Sequence, residues 1–82
     1  MEERRAPPAR KRTFKAGTIA FNRAGSGIAA VVKNISPSGA MLEVESAVGI
    51  PDEFMLIVES YYLKRECRII WRHSTRIGVR FL

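Results

Sequence analysis

Between Ala40 and Phe81 apolar and polar residues alternate, and this alternation constrains the fold more than any other feature of the chain. Ala40, Leu42 and Val44 are set against Met41, Glu43 and Glu45. Leu63, Cys67, Ile69 and Trp71 are set against Lys64, Glu66, Arg68 and Arg72, and Ile77, Val79 and Phe81 against Arg76, Gly78 and Arg80. A period of two places the two sets on opposite faces of a β-strand. Arg65 and Ile70 break the pattern, one on each face. No window of ten or more residues carries apolar side chains at helical spacing, which argues against a helical framework.

The remaining segments read as strands of the same kind. Residues 18–21 are short and partly β-branched, residues 22–27 form a turn rich in Gly and Asn, and residues 28–32 read as a second strand. Residues 34–39, Asn-Ile-Ser-Pro-Ser-Gly, read as a polar turn leading into the strand that starts at Ala40. Gly49 and Pro51 interrupt the chain after that strand. Phe54, Leu56 and Val58 then form one face of a fourth strand. Its other face, Met55 and Ile57, is apolar too, as expected of a strand covered on both sides or lying at a partner surface. Residues 59–61 and 73–75 read as tight connections. Six short strands joined by polar turns predict an all-β fold, a small six-stranded antiparallel β-barrel. Closure removes the exposed edges that a flat sheet of this size would leave. Residues 1–13 contain Pro7 and Pro8 and no apolar periodicity, and are expected to form a flexible basic arm ahead of a barrel domain over residues 14–82.

At 82 residues the chain is one small domain, near the size below which a single core needs staples. Its formal net charge of +6 is unevenly placed: residues 1–15 hold six cations against Glu2 and Glu3, while residues 16–82 hold eight against six acids. A nearly balanced body with a cationic arm points to an anionic partner met chiefly by the arm. Cys67 is the only cysteine, so no internal disulfide forms, and no Cys/His set has zinc spacing. The N-terminal segment lacks the apolar stretch of a signal peptide, and no apolar run is long enough to span a bilayer. A cytoplasmic location without membrane insertion is expected.

Catalysis finds no support. His73, the only histidine, falls in an expected turn beside Trp71 and Arg72, with no serine or cysteine placed to be activated by it. Cys67 alternates with core positions and reads as a small hydrophobe. No glycine-rich loop leads from a strand into a helix, so a phosphate cradle of that kind is missing. The chain is not expected to be an enzyme.

Recognition is better served. In residues 34–39 the Asn34 amide and the Ser36 hydroxyl can bond their own backbone, which stabilises a turn ending in a permissive glycine. The same groups can pair with the edge of a purine, and Gly39 allows a planar ligand close to the backbone. Arg4, Arg5, Arg10, Lys11 and Arg12 supply the complement. An arginine fork matches phosphate oxygens and the O6/N7 edge of guanine, and its plane stacks on a base.

Taken with the closing residues 76–81, Arg-Ile-Gly-Val-Arg-Phe, these stretches resemble the PilZ domain family. Asn34-Ile35-Ser36-Pro37-Ser38-Gly39 matches that family's [D/N]-x-S-x-x-G motif, and the arm occupies the place of its R-x-x-x-R motif. The resemblance covers nearly the whole chain. It implies a six-stranded barrel that binds the second messenger cyclic di-GMP as a regulatory ligand, with no other cofactor. It also implies that Asn34, Ser36 and Gly39 hold a guanine edge while arm arginines contact guanine and phosphate. Arg5 and Arg10 best fit the arm's role, with Arg4 and Arg12 as further ligand contacts. Four residues separate Arg5 from Arg10 where the family motif has three, and one extra residue adds at most about 3.3–3.6 Å of reach. An effector protein would receive the signal. Two other functions fit the composition. One is a PilZ-like adaptor without nucleotide, working through an apolar patch of Met41, Met55 and Ile57. The other is a basic nucleic-acid-binding barrel, disfavoured because Phe21, Phe54, Trp71 and Phe81 fall on expected core faces, leaving Tyr61 and Tyr62 near one turn.

Overall fold

The computed structural model describes residues 11–21 and 27–82, with only the backbone at Lys11 and Arg12. The expected turn at residues 22–26 and the arm arginines Arg4, Arg5 and Arg10 lie outside the described residues. Six strands are formed: β1 (Lys11–Ala20), β2 (Gly27–Ser36), β3 (Gly39–Glu43), β4 (Glu53–Val58), β5 (Leu63–His73) and β6 (Arg76–Phe81). One 3-10 turn, Glu59–Tyr61, joins β4 to β5. The strands close into an antiparallel barrel in the order β1-β2-β3-β6-β5-β4.

Two strands run further than local composition predicts. β1 begins at Lys11 rather than at Thr18, and so takes in the last residues of the stretch expected to be arm. β2 continues through Ser36, which shortens the six-residue polar turn to Pro37 and Ser38. Each extension completes the other, because Lys11 pairs with Ile35 and Arg12 with Asn34. Cross-strand pairing outweighs the low β propensity of the polar residues.

The inward positions are those that the alternation marks. Ile19, Val32, Leu42, Leu56, Val58, Cys67 and Ile77 are fully buried. The connection from β3 to β4 spans one end of the barrel and places Val44, Ala47 and Ile50 in the same core. It is held there by hydrogen bonds from Val44 N–H to the Thr75 carbonyl (2.8 Å) and from Ala47 N–H to the Ser74 carbonyl (3.0 Å). Arg72 adds a bond from Nη1 to the Ala47 carbonyl and one from Nη2 to the Asp52 carboxylate, both 2.8 Å.

Trp71 departs from the expected pattern. The register of β5 on β6 shifts between Ile69 and Trp71, an irregularity that places one extra residue, Ile70, in β5. Trp71 is thereby turned off the core face and is 42% exposed. Phe54 is buried, and Phe21 and Phe81 pack against the core as their alternation predicts.

Candidate ligand-binding groove

The outer face of β2, β3, β6 and β5 carries a groove of about 200 Å³, lined by Asn34, Ser36, Ser38, Gly39, Met41, Ile70, Trp71, Gly78 and Arg80, among others. Pairing explains this company. Asn34 lies opposite Met41, Met41 opposite Gly78, and Gly78 opposite Trp71, so these four form one outward row across four strands. The next row runs from Ser36 through Gly39 and Arg80 to Arg68. The antiparallel register brings Asn34, Ser36 and Gly39 together even though two of them are strand residues.

Glycine permits a close approach at two of these positions. A Cβ at Gly39 would overlap the carbonyl oxygen of Val79 on β6, and a Cβ at Gly78 would overlap the indole nitrogen of Trp71. The Trp71 ring therefore lies flat over Gly78 and forms one wall of the groove. Such an aromatic cover over a strand glycine restores packing that the missing side chain leaves out.

The polar rim is loosely tied. Ser38 N–H donates to Ser36 Oγ at 3.3 Å, the Ser36 and Ser38 hydroxyls lie 3.2 Å apart, and Ser36 Oγ is 3.4 Å from the Gly39 carbonyl. All three separations are longer than the usual hydrogen-bond distances for their donors. β1 begins at this end of the groove. Arg12 pairs with Asn34 through the backbone, and the register shifts between Arg12 and Lys15. Thr13, the one buried polar side chain among the described residues, bonds the Tyr61 hydroxyl at 2.8 Å and ties β1 near its start to the 3-10 turn.

Sequence reading missed Trp71, Gly78, Ile70 and Arg80 as groove residues. The available signal was Ile70, whose break in the alternation marks the extra residue that turns Trp71 outward. Met41 belongs to this groove, whereas Met55 and Ile57 lie on β4 and pair with Ala20 and Thr18. The three therefore do not form the single apolar patch expected of an adaptor surface. His73 is exposed at the end of β5. Cys67 is buried, and that burial pushes its thiol up to about 11. The described residues hold no group of three His, Cys, Asp or Glu placed for a metal ion. Among them no helix is long and apolar enough to cross a membrane.

The closed six-stranded antiparallel barrel is the fold of the family that the comparison finds. The chain belongs to the PilZ domain family, whose model matches residues 3–82. That family consists of binding and regulatory domains and is known for cyclic di-GMP receptors. Comparisons with curated proteins and with solved structures find no significant match.

Proposed function

We propose that this domain is a cyclic di-GMP receptor in which the groove holds one guanine and the arm closes over the rest of the ligand. The observation that carries the proposal is the meeting of Asn34, Ser36 and Gly39 in one groove at the place where the arm enters β1. The Asn34 amide and the Ser36 hydroxyl offer the donor and acceptor that a guanine edge requires, and Gly39 leaves the backbone open to a planar base. At about 200 Å³ the groove is smaller than the 300–1,000 Å³ typical of sites that enclose a whole small molecule. It suits one base. The phosphates and the second guanine then fall to the arm, with Arg5 and Arg10 as principal contacts and Arg4 and Arg12 beside them. An effector protein that recognises the ligand-bound domain relays the signal.

Calorimetric titration with cyclic di-GMP tests this reading. Binding is expected, and Arg10→Ala should weaken it about tenfold or more, because a charged hydrogen bond contributes about 1.5–3 kcal/mol. Lys11→Ala should change it far less. Absence of heat at tens of micromolar protein, with no shift of the Asn34 and Ser36 amide resonances, overturns the proposal.

A further inference from the structure

Arg80 occupies a position that the arm-based reading leaves unused. It lies on β6 between Gly39 on one side and Arg68 on the other. Like charges directly opposite each other on a sheet face are unfavourable. Arg68 is neutralised by Glu53, to which both its Nε (2.8 Å) and its Nη2 donate. Lys33, Arg72 and Arg76 also have carboxylate partners. Arg80 takes part in none of the ion pairs formed among the described residues. Its neighbour on the groove side is Gly39, which has no side chain to occupy the space, and Ser36 and Ser38 present hydroxyls along the same rim.

We infer that Arg80, with the Ser36 and Ser38 hydroxyls, is a phosphate-binding subsite carried by the barrel itself. A guanidinium gives a phosphodiester two parallel donors, and the hydroxyls supply further donors at the same rim. The groove floor is suited to a base, and exposed Arg80 stands at its edge, where the sugar–phosphate of a seated nucleotide emerges. A cation fixed on a strand needs no ordering to reach the ligand. The barrel therefore holds the anion through its own residues. This subsite deepens the cyclic di-GMP reading and rests on it for the identity of the ligand.

The test compares Arg80→Gln, Arg80→Lys and, as a control for net charge, Lys64→Gln on β5. Cyclic di-GMP affinity is measured over a series of salt concentrations. Arg80→Gln should weaken binding about ten- to a hundredfold and lower the slope of log affinity against log salt by about one. Arg80→Lys should fall between Arg80→Gln and the unaltered chain. An effect of Arg80→Gln no larger than that of Lys64→Gln overturns the inference. So does weaker binding with an unchanged salt slope, which assigns Arg80 to an uncharged edge of the base. Should the unaltered chain not bind cyclic di-GMP, the receptor reading fails and inorganic pyrophosphate decides the subsite separately. Nitrogen-15 shifts on pyrophosphate addition at Arg80 Nε and at the Ser38 and Gly39 amides, with the amide shifts lost in Arg80→Gln, uphold it; their absence overturns it.

Discussion

A methyl group added at Gly39 would overlap the carbonyl oxygen of Val79, a backbone atom that moves only with its strand. The overlap at Gly78 is with the far end of the Trp71 side chain, which can swing away. Gly39→Ala should therefore destabilise the barrel by about 1–3 kcal/mol through forced separation of β3 and β6. Gly78→Ala should cost less and instead shift Trp71 fluorescence towards the red as the ring lifts into solvent. Denaturant unfolding and emission spectra distinguish the two, and equal destabilisation without a spectral change would show that the ring does not rest on Gly78. It follows that loss of ligand binding in Gly39→Ala is not by itself evidence of a ligand contact. Cys67 makes a second residue-scale case. Burial raises its thiol pKa in the folded chain, so the neutral form is favoured by folding. That stabilisation is complete below the unfolded thiol's pKa and is lost as pH rises through the folded value of about 11. At about 1.4 kcal/mol per pKa unit, roughly 2–3 kcal/mol should disappear between about pH 9 and 11. Cys67→Val should remove this component of the alkaline slope, and an unchanged slope would show that other groups cause it.

At the scale of elements, β5 shows what the sequence could and could not disclose. Its alternation correctly places Leu63, Cys67 and Ile69 inward. Beyond Ile70 the period of two slips: Trp71, expected inward, turns out, while Arg72 stays exposed and its side chain reaches the Ala47 carbonyl over the barrel end. A single extra residue is a small mark in a sequence and a complete reversal in a strand. The limits of β1 and β2 were hidden for another reason. Lys11, Arg12, Lys33 and Asn34 are poor strand formers judged alone, and their strand identity exists only in the pairs Lys11–Ile35 and Arg12–Asn34. The candidate site was legible as Asn34, Ser36 and Gly39 because a linear motif contains all three. Trp71, Gly78 and Arg80 reach it only through the register of three strands. The hydrogen bond between Thr13 and Tyr61 ties β1 to the 3-10 turn in the same non-local way. Tyr61→Phe should cost about 1–3 kcal/mol, since it leaves the buried Thr13 hydroxyl without its partner. Adding Thr13→Val should recover part of that loss. A double-mutant cycle in urea measures the coupling, and additive effects would mean the bond contributes nothing to stability.

For the whole molecule, the barrel is closed by its shortest seam. β1 pairs with β2 along nearly its full length, yet meets β4 only at Thr18, Ile19 and Ala20, opposite Ile57, Leu56 and Met55. β3 and β6, by contrast, pair over the whole of β3. Partners across the seam and partners between β3 and β6 lie similarly far apart in sequence, so loop closure costs the two alike and the length of pairing separates them. Local stability in a folded chain follows such differences. Native-state hydrogen exchange should therefore find the β1–β4 amides opening at lower free energy than those between β3 and β6. Matching values in both places would show that the barrel opens only as a unit. The weak seam bears on the proposed receptor function because β1 follows directly on the arm. If cyclic di-GMP engages the arm as well as the groove, part of its binding free energy is transmitted along β1, past the Thr13–Tyr61 bond, to Thr18 and its neighbours. Saturating ligand should then slow exchange at the seam by more than at the β3–β6 ladder, although the ladder is nearer the groove. Protection confined to β2, β3 and β6 would place the ligand's effect at the groove alone and leave the seam outside the switch.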